Sequence, residues 1–167
     1  MNKISSGILL FKKDSNIPKV FLVHPGGPFW AKKDSGAWSI SKGLVEEGED
    51  LKDTAIREVK EELGLDLQID ISKFKDIGEV RMKSGKIIHA FAYETDFGDI
   101  QVKSNLIVID WPPKSGKKMQ IPEVDKGEWF DLQTASKKIN PSQIDFLKKL
   151  DPNLSSDSQE KDLTLFS

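Results

Sequence analysis

The chain has 167 residues, 37% hydrophobic and 31% charged, the size and balance of one domain with a single core and no room for a second full one. Its 25 basic and 27 acidic residues leave a net charge of -2, which excludes the basic excess that coats a nucleic-acid polymer, so an anionic substrate is expected to be small and held locally. Cysteine is absent, which excludes disulfides, thiolate metal sites and a cysteine nucleophile, and no apolar run approaches the roughly 18 residues of a membrane span.

Met1-Asn2-Lys3 precedes only a short apolar stretch that soon meets Lys12, Lys13 and Asp14, unlike a signal peptide, so a cytoplasmic location is expected. Ile4 to Phe11 and Lys19 to His24 are β-branched or aromatic-rich runs around Asp14-Ser15-Asn16, with Pro18 near the start of the second; they predict two strands and a turn. His24-Pro25-Gly26-Gly27-Pro28 interrupts regular structure. The loop that follows carries Phe29 and Trp30 as far as Gly36, and a short strand is expected at Ala37 to Ile40.

From Asp50 to Leu63 the apolar residues Leu51, Ala55, Ile56, Val59 and Leu63 keep the period of an amphipathic helix, with Gly64 as its stop. Phe74 to Met82 and Lys86 to Thr95 predict strands flanking a hairpin turn at Ser84-Gly85. Leu106 to Trp111 and Glu128 to Phe130 are strand candidates on either side of a loop from Pro112 to Pro122. Leu132 to Ile139 and Ser142 to Leu150 predict short helices divided by Pro141. The domain is expected to span residues 1–150; residues 151–167 read as a polar, mobile tail whose Leu163 to Phe166 either dock back or fray.

The chemistry-bearing stretch begins at Gly43-Leu44-Val45-Glu46-Glu47-Gly48-Glu49 and resumes at Arg57-Glu58-Val59-Lys60-Glu61-Glu62-Leu63-Gly64-Leu65. Glu58, Glu61 and Glu62 stand at i, i+3 and i+4, so their carboxylates share one helical face and can converge on one point, with Arg57 four residues before Glu61. Three like charges on one face repel, and a hard divalent cation removes that penalty. Magnesium takes oxygen ligands, keeps waters and bridges carboxylates to phosphates, so it is the natural candidate, with manganese as its substitute. A glutamate left unligated can then take a proton from water as general base. By itself the glutamate fragment also reads as a solvated helix face, but such a face requires neither Gly43 and Gly48 nor Glu49 at the helix entrance.

Gly43, five residues, Glu49, seven residues, then Arg57 to Leu65 resembles the Nudix box at every defined position. The resemblance implies an α/β fold, the Nudix α/β/α sandwich with a mixed β-sheet, and hydrolysis of a pyrophosphate bond in a nucleoside diphosphate linked to another group. It implies metal binding and base catalysis at Glu58, Glu61 and Glu62, with Glu58 taken as base, Arg57 orienting a glutamate, the Gly43 carbonyl as a further ligand and Glu49 in support. Some members recruit an acid outside the box, for which Glu123, six residues before Trp129, is the candidate, with Asp125 and Glu128 behind it. A homodimer is compatible with the family.

Trp38-Ser39-Ile40-Ser41-Lys42-Gly43 is similar to the approach to the box in diadenosine polyphosphate hydrolases, with Ser41 where they carry proline. Lys42 is then a candidate phosphate contact, and Phe29 and Trp30 offer π-surfaces to a nucleobase. For Trp38 and Trp129 a core position is expected, and neither His24 nor His89 has a partner motif that assigns it a role. The substrate order implied is a dinucleoside polyphosphate such as diadenosine tetraphosphate, then an ordinary or oxidised nucleoside triphosphate, then a nucleotide sugar; a non-catalytic nucleotide-sensing module is the rival.

Overall fold

Strict alternation in the first apolar run makes its strand the spine of the sheet. In β1 (Ile4–Asp14), Ile8 and Leu10 point to one face and Leu9 to the other; in β2 (Ile17–Pro25), Phe21 and Val23 oppose Val20 and Leu22 in the same way. Both faces of these strands are buried, so both must be covered. A computed structural model of the chain describes residues 3–14, 17–63, 69–95 and 98–154; Ser15 and Asn16 of the expected turn, Gly64, Leu65 and the tail from Ser155 onward lie outside the described residues.

The remaining strands are β3 (Ser41–Leu44), β4 (Lys75–Arg81), β5 (Ile87–Glu94), β6 (Leu106–Asp110), β7 (Lys118–Pro122) and β8 (Val124–Asp131). The main sheet runs β4-β5-β1-β2-β8, with β3 also paired to β1. β1 and β5 are parallel and the other pairings antiparallel, so the sheet is mixed. β5 takes one edge of β1 along residues 4–11, which leaves β3 and β2 to share the other, at residues 5–8 and 11–14 respectively. The sheet therefore splits beside β1, and the cleft described below opens where β2 and β3 part.

Helix α1 (Leu51–Leu63) covers one face through Ala55, Val59 and Leu63. Helices α2 (Leu132–Lys138) and α3 (Ile144–Leu150) cover the other through Leu132, Ala135, Phe146 and Leu147. The result is the expected α/β/α sandwich. Asp131 caps α2 by accepting from the Thr134 N–H at 2.7 Å, and Asn140 caps the short 3-10 turn Pro141–Gln143 through Ser142 N–H at 2.9 Å. The chain past Asp151 stays packed as far as Leu154, whose side chain is buried in the α2/α3 core.

Three expectations differ from the structure. The strand expected at Ala37 to Ile40 is reduced to isolated bridges at Trp38 and Ser39, and regular pairing begins at Ser41. The loop expected from Pro112 to Pro122 contains β7, which pairs with β6 as a separate two-stranded sheet. Met119 and Ile121 alternate with Lys118 and Gln120, but this short run between a Pro/Gly/Lys segment and Pro122 offers only two apolar positions, of which Ile121 alone is buried. β8 begins at Val124, four residues before the expected strand.

Candidate active site

Packing of α1 against β3 divides its glutamates. Glu58 and Glu62 lie one turn apart on the stripe that faces β3 and are buried, 6% and 5% exposed, whereas Glu61 stays at the solvent edge with its side chain 39% exposed. The three carboxylates expected to converge on one point thus stand as two buried and one at the rim. Gly43 makes the inner position possible: a Cβ there would lie 1.9 Å from the carboxyl carbon of Glu58. Gly7 serves the same seam, since a Cβ would meet the Ser41 carbonyl at 2.3 Å and prevent β3 from closing on β1.

Arg57 organises the outer layer. Its Nε and Nη2 donate to both oxygens of Glu49 at 2.8 and 2.9 Å, a bidentate pair, and Nη2 also donates to the Leu44 carbonyl at 3.0 Å. Nη1 donates to Glu58 Oε1 at 2.8 Å and reaches Glu61 only at 3.4 Å. Arg57 therefore orients Glu58 more than Glu61. Glu49 also accepts from the Glu46 N–H and the Thr54 hydroxyl, so it ties the preceding loop to the helix. These bonds, the Arg57 guanidinium foremost, hold the Glu49 carboxyl down at about 2.

The inner pair behaves in the opposite sense. Burial, reinforced by Glu61 and Glu123, raises the Glu58 carboxyl against the pull of Arg57. Burial pushes Glu62 up to about 8, opposed by the charge of Lys42 and the hydroxyl of Ser41, and reinforced by Glu58 and Glu123. Ser41 Oγ donates to Glu62 Oε2 at 3.1 Å. At the position where a missing proline was noted, the sequence thus carries a hydrogen-bond donor; its strand alternation, inward at Ser41, is the signal that could have found it.

A cleft of about 210 Å³ opens beside this pair. Glu62, Lys42, Glu123 and Trp30 line it, together with Val23, Pro25, Ser39, Ile40, Met82, Val124, Asn140 and Gln143. The structure thereby brings Lys42, Trp30 and Glu123 to one place. Glu123 sits in the step between β7 and β8; its carbonyl accepts from the Gly26 N–H at 3.1 Å, an approach that a Cβ on Gly26 would block at 2.1 Å from the Pro122 carbonyl. Phe29 is outside the cleft lining, 50% exposed, packed edge-on to Trp30 at 4.9 Å with the Lys33 ammonium 3.6 Å above its ring. Asn140 and Gln143 of the 3-10 turn, Ser39 bridged to β2 and Met82 of the β4–β5 hairpin are lining residues that the sequence did not mark, because only tertiary packing brings them to the cleft. Trp38 is buried as expected; Trp129 is partly buried, edge-on to Phe21 at 5.3 Å.

Among the described residues no group of three or more His, Asp or Glu side chains is gathered tightly enough to hold a metal ion alone. The donors nevertheless suit a hard divalent cation. They are buried carboxylate oxygens that repel one another, and magnesium commonly uses one or two carboxylates and completes its shell with water and phosphate.

The NUDIX domain model matches residues 1–150. The chain belongs to the NUDIX domain family. An mRNA-decapping enzyme subunit 2 from Saccharomyces cerevisiae is 30% identical over 135 residues, which cover 80% of this chain but 11% of that protein. Among solved structures, an Ap4A hydrolase from C. elegans in a binary complex covers 89% of this chain and 96% of its own at a TM-score of 0.62 and 19% identity. The NUDIX domain of Shewanella oneidensis NrtR complexed with ADP ribose covers 90% of this chain and 88% of its own, with a TM-score of 0.61 and 15% identity. At such identities these two establish the Nudix fold alone. No helix among the described residues is long and apolar enough to cross a membrane.

Proposed function

We propose that this Nudix protein is a magnesium-dependent hydrolase of a pyrophosphate link in a nucleoside diphosphate joined to another group, with a dinucleoside polyphosphate such as diadenosine tetraphosphate as its first substrate. The observation that carries this is the buried pair Glu58 and Glu62 beside a cleft lined by Lys42, Trp30 and Glu123. Glu62 and Glu123, with the Gly43 carbonyl and Glu61 at the edge, would hold the cation, which leaves Glu58 unligated. The bound cation supplies positive charge that offsets the charge gathering on the phosphate oxygens and leaving group.

Glu58 acts as general base. Arg57 occupies its Oε1 and leaves the second oxygen to take a proton from the attacking water, while burial raises its proton affinity toward the working range. Glu62, held by Ser41, supplies a second inner carboxylate, and Lys42 places a point charge against the phosphate chain. Trp30, which lines the cleft, presents a π-face to one base. Phe29, exposed beside it with the Lys33 ammonium over its ring, offers the second aromatic surface that a dinucleotide would use.

The test is incubation with magnesium and a panel of diadenosine tetraphosphate, ordinary and oxidised nucleoside triphosphates and nucleotide sugars, with products resolved by ion-exchange chromatography. AMP and ATP from the dinucleotide support the reading; monophosphate and pyrophosphate as the faster products would move the assignment to a triphosphate. No turnover on any member of the panel would overturn the hydrolase reading.

A further inference from the structure

His24 plays no part in the chemistry above, yet it is 1% exposed at the end of β2 and packs edge-on to Trp38 at 5.2 Å. Its Nε2 lies 2.6 Å from the Lys33 carbonyl and its Nδ1 lies 2.9 Å from Asp125 Oδ1. A carbonyl only accepts, so Nε2 donates to Lys33, while Nδ1 faces the Asp125 carboxylate. A buried imidazole whose two ring nitrogens each meet an oxygen on a separate segment is a clamp and not filler.

Each segment adjoins residues that line the cleft. Lys33 closes the turn that carries Trp30, donating its N–H to the Trp30 carbonyl at 2.9 Å. Asp125 follows Glu123 and Val124, both cleft residues, at the start of β8. Hydrogen bonds within the loop, from Trp30 N–H to Gly27 and from Lys33 N–H to Trp30, join the loop to itself, whereas His24 joins it to β8. The register of β2 against β8 also shifts between His24 and Pro25, which turns the strand end toward the loop.

We propose that His24 is a positioning residue for substrate: it fastens the aromatic loop to β8 and thereby fixes Trp30 in the cleft beside Glu123. This rests on the hydrolase reading of that cleft. Replacing His24 leaves the Lys33 carbonyl without its buried donor and frees the loop, so the loss falls on substrate binding and not on the inner carboxylates.

The experiment compares wild type, His24→Leu, His24→Gln and Asp125→Asn by hydrogen exchange of residues 26–36 and by steady-state kinetics on diadenosine tetraphosphate with magnesium. His24→Leu speeds loop exchange by about tenfold and raises KM by about tenfold, with kcat within about twofold. His24→Gln, which retains an amide donor for the Lys33 carbonyl, recovers part of both, and Asp125→Asn gives a smaller change in the same direction. If His24→Leu fails to fold, the same two readouts in His24→Gln and Asp125→Asn decide. Unchanged loop exchange with unchanged KM, or a fall in kcat with no change in exchange, overturns the proposal. A folded wild type that hydrolyses no panel member sinks the hydrolase reading separately, and exchange alone then decides the clamp.

Discussion

The acids around α1 divide into two settings. Glu49, before the helix, accepts from a guanidinium, a backbone N–H and a hydroxyl, and it is held at about 2. Glu62, inside, has one hydroxyl and a neighbouring lysine charge against a larger cost of burial, and it rises to about 8. The outer acid is satisfied by the protein itself and is structural in kind. The inner pair is offset only in part, Glu58 by Arg57 and Glu62 by Lys42 and Ser41, and its burial leaves carboxylate oxygens that suit a divalent cation.

The strongest way to break this division is to neutralise the inner pair. Glu58→Gln is expected to lower kcat by about two to four orders of magnitude, the usual worth of a positioned base, with the fold intact by circular dichroism. Glu62→Gln should abolish saturable manganese binding followed by electron paramagnetic resonance in the nucleotide-free protein. Manganese affinity unaltered in Glu62→Gln would return Glu62 to a structural role.

The same pair predicts a pH signature. Glu62 ordinarily titrates at 4.5 and is pushed up to about 8 in the fold, so between these values the folded chain keeps a proton that the unfolded chain has released. Stability of the metal-free protein therefore falls as pH rises through that window. Thermal melts across it should show a decline in Tm that magnesium reverses and that Glu62→Gln removes. A flat profile in wild type would mean that the carboxylate is already satisfied.

Gly43 marks the boundary between the two settings. In Gly43→Ala the new methyl meets the Glu58 carboxyl, and a displacement of about an ångström in a catalytic group is expected to cost about a hundredfold in kcat. The protein should also lose about 1–3 kcal/mol of stability, as overpacked sites do, measurable by urea denaturation. A fully active Gly43→Ala would show that Glu58 is not confined by β3.

How much of this was legible follows from where each wall of the cleft comes from. The α1 wall was readable because Leu51 to Leu63 obey a helical period, so spacing alone aligned Glu58, Glu61 and Glu62. What spacing did not reveal was depth: Glu58, Glu61 and Glu62 look alike on a helical wheel, and only β3 distinguishes the buried two. The opposite wall is assembled from the end of β2, the loop after it, the β7–β8 step and the 3-10 turn before α3. Glu123 and Trp30 were reachable there as single residues, but Asn140, Gln143 and the His24–Asp125 contact, |i−j| = 101, depend on long-range pairing. β7 escaped for a different reason: its alternation rests on Met119 and Ile121 alone, in a five-residue strand between a Pro/Gly/Lys segment and Pro122.

The smallest expected effect is also the sharpest check on the division. Glu61 has its side chain 39% exposed and touches Arg57 only at 3.4 Å, so Glu61→Gln removes a solvent-screened charge at the rim. The expected cost is about tenfold in kcat/KM, well short of the loss at Glu58, because water already shares the neutralising of that carboxylate. The partition should appear in metal dependence: Glu61→Gln raises the magnesium concentration needed for half-maximal rate and leaves kcat near wild type at saturating metal. If Glu61→Gln instead matches Glu58→Gln in kcat at saturating magnesium, the rim glutamate moves inward when substrate binds, and the two settings are one site in the working enzyme.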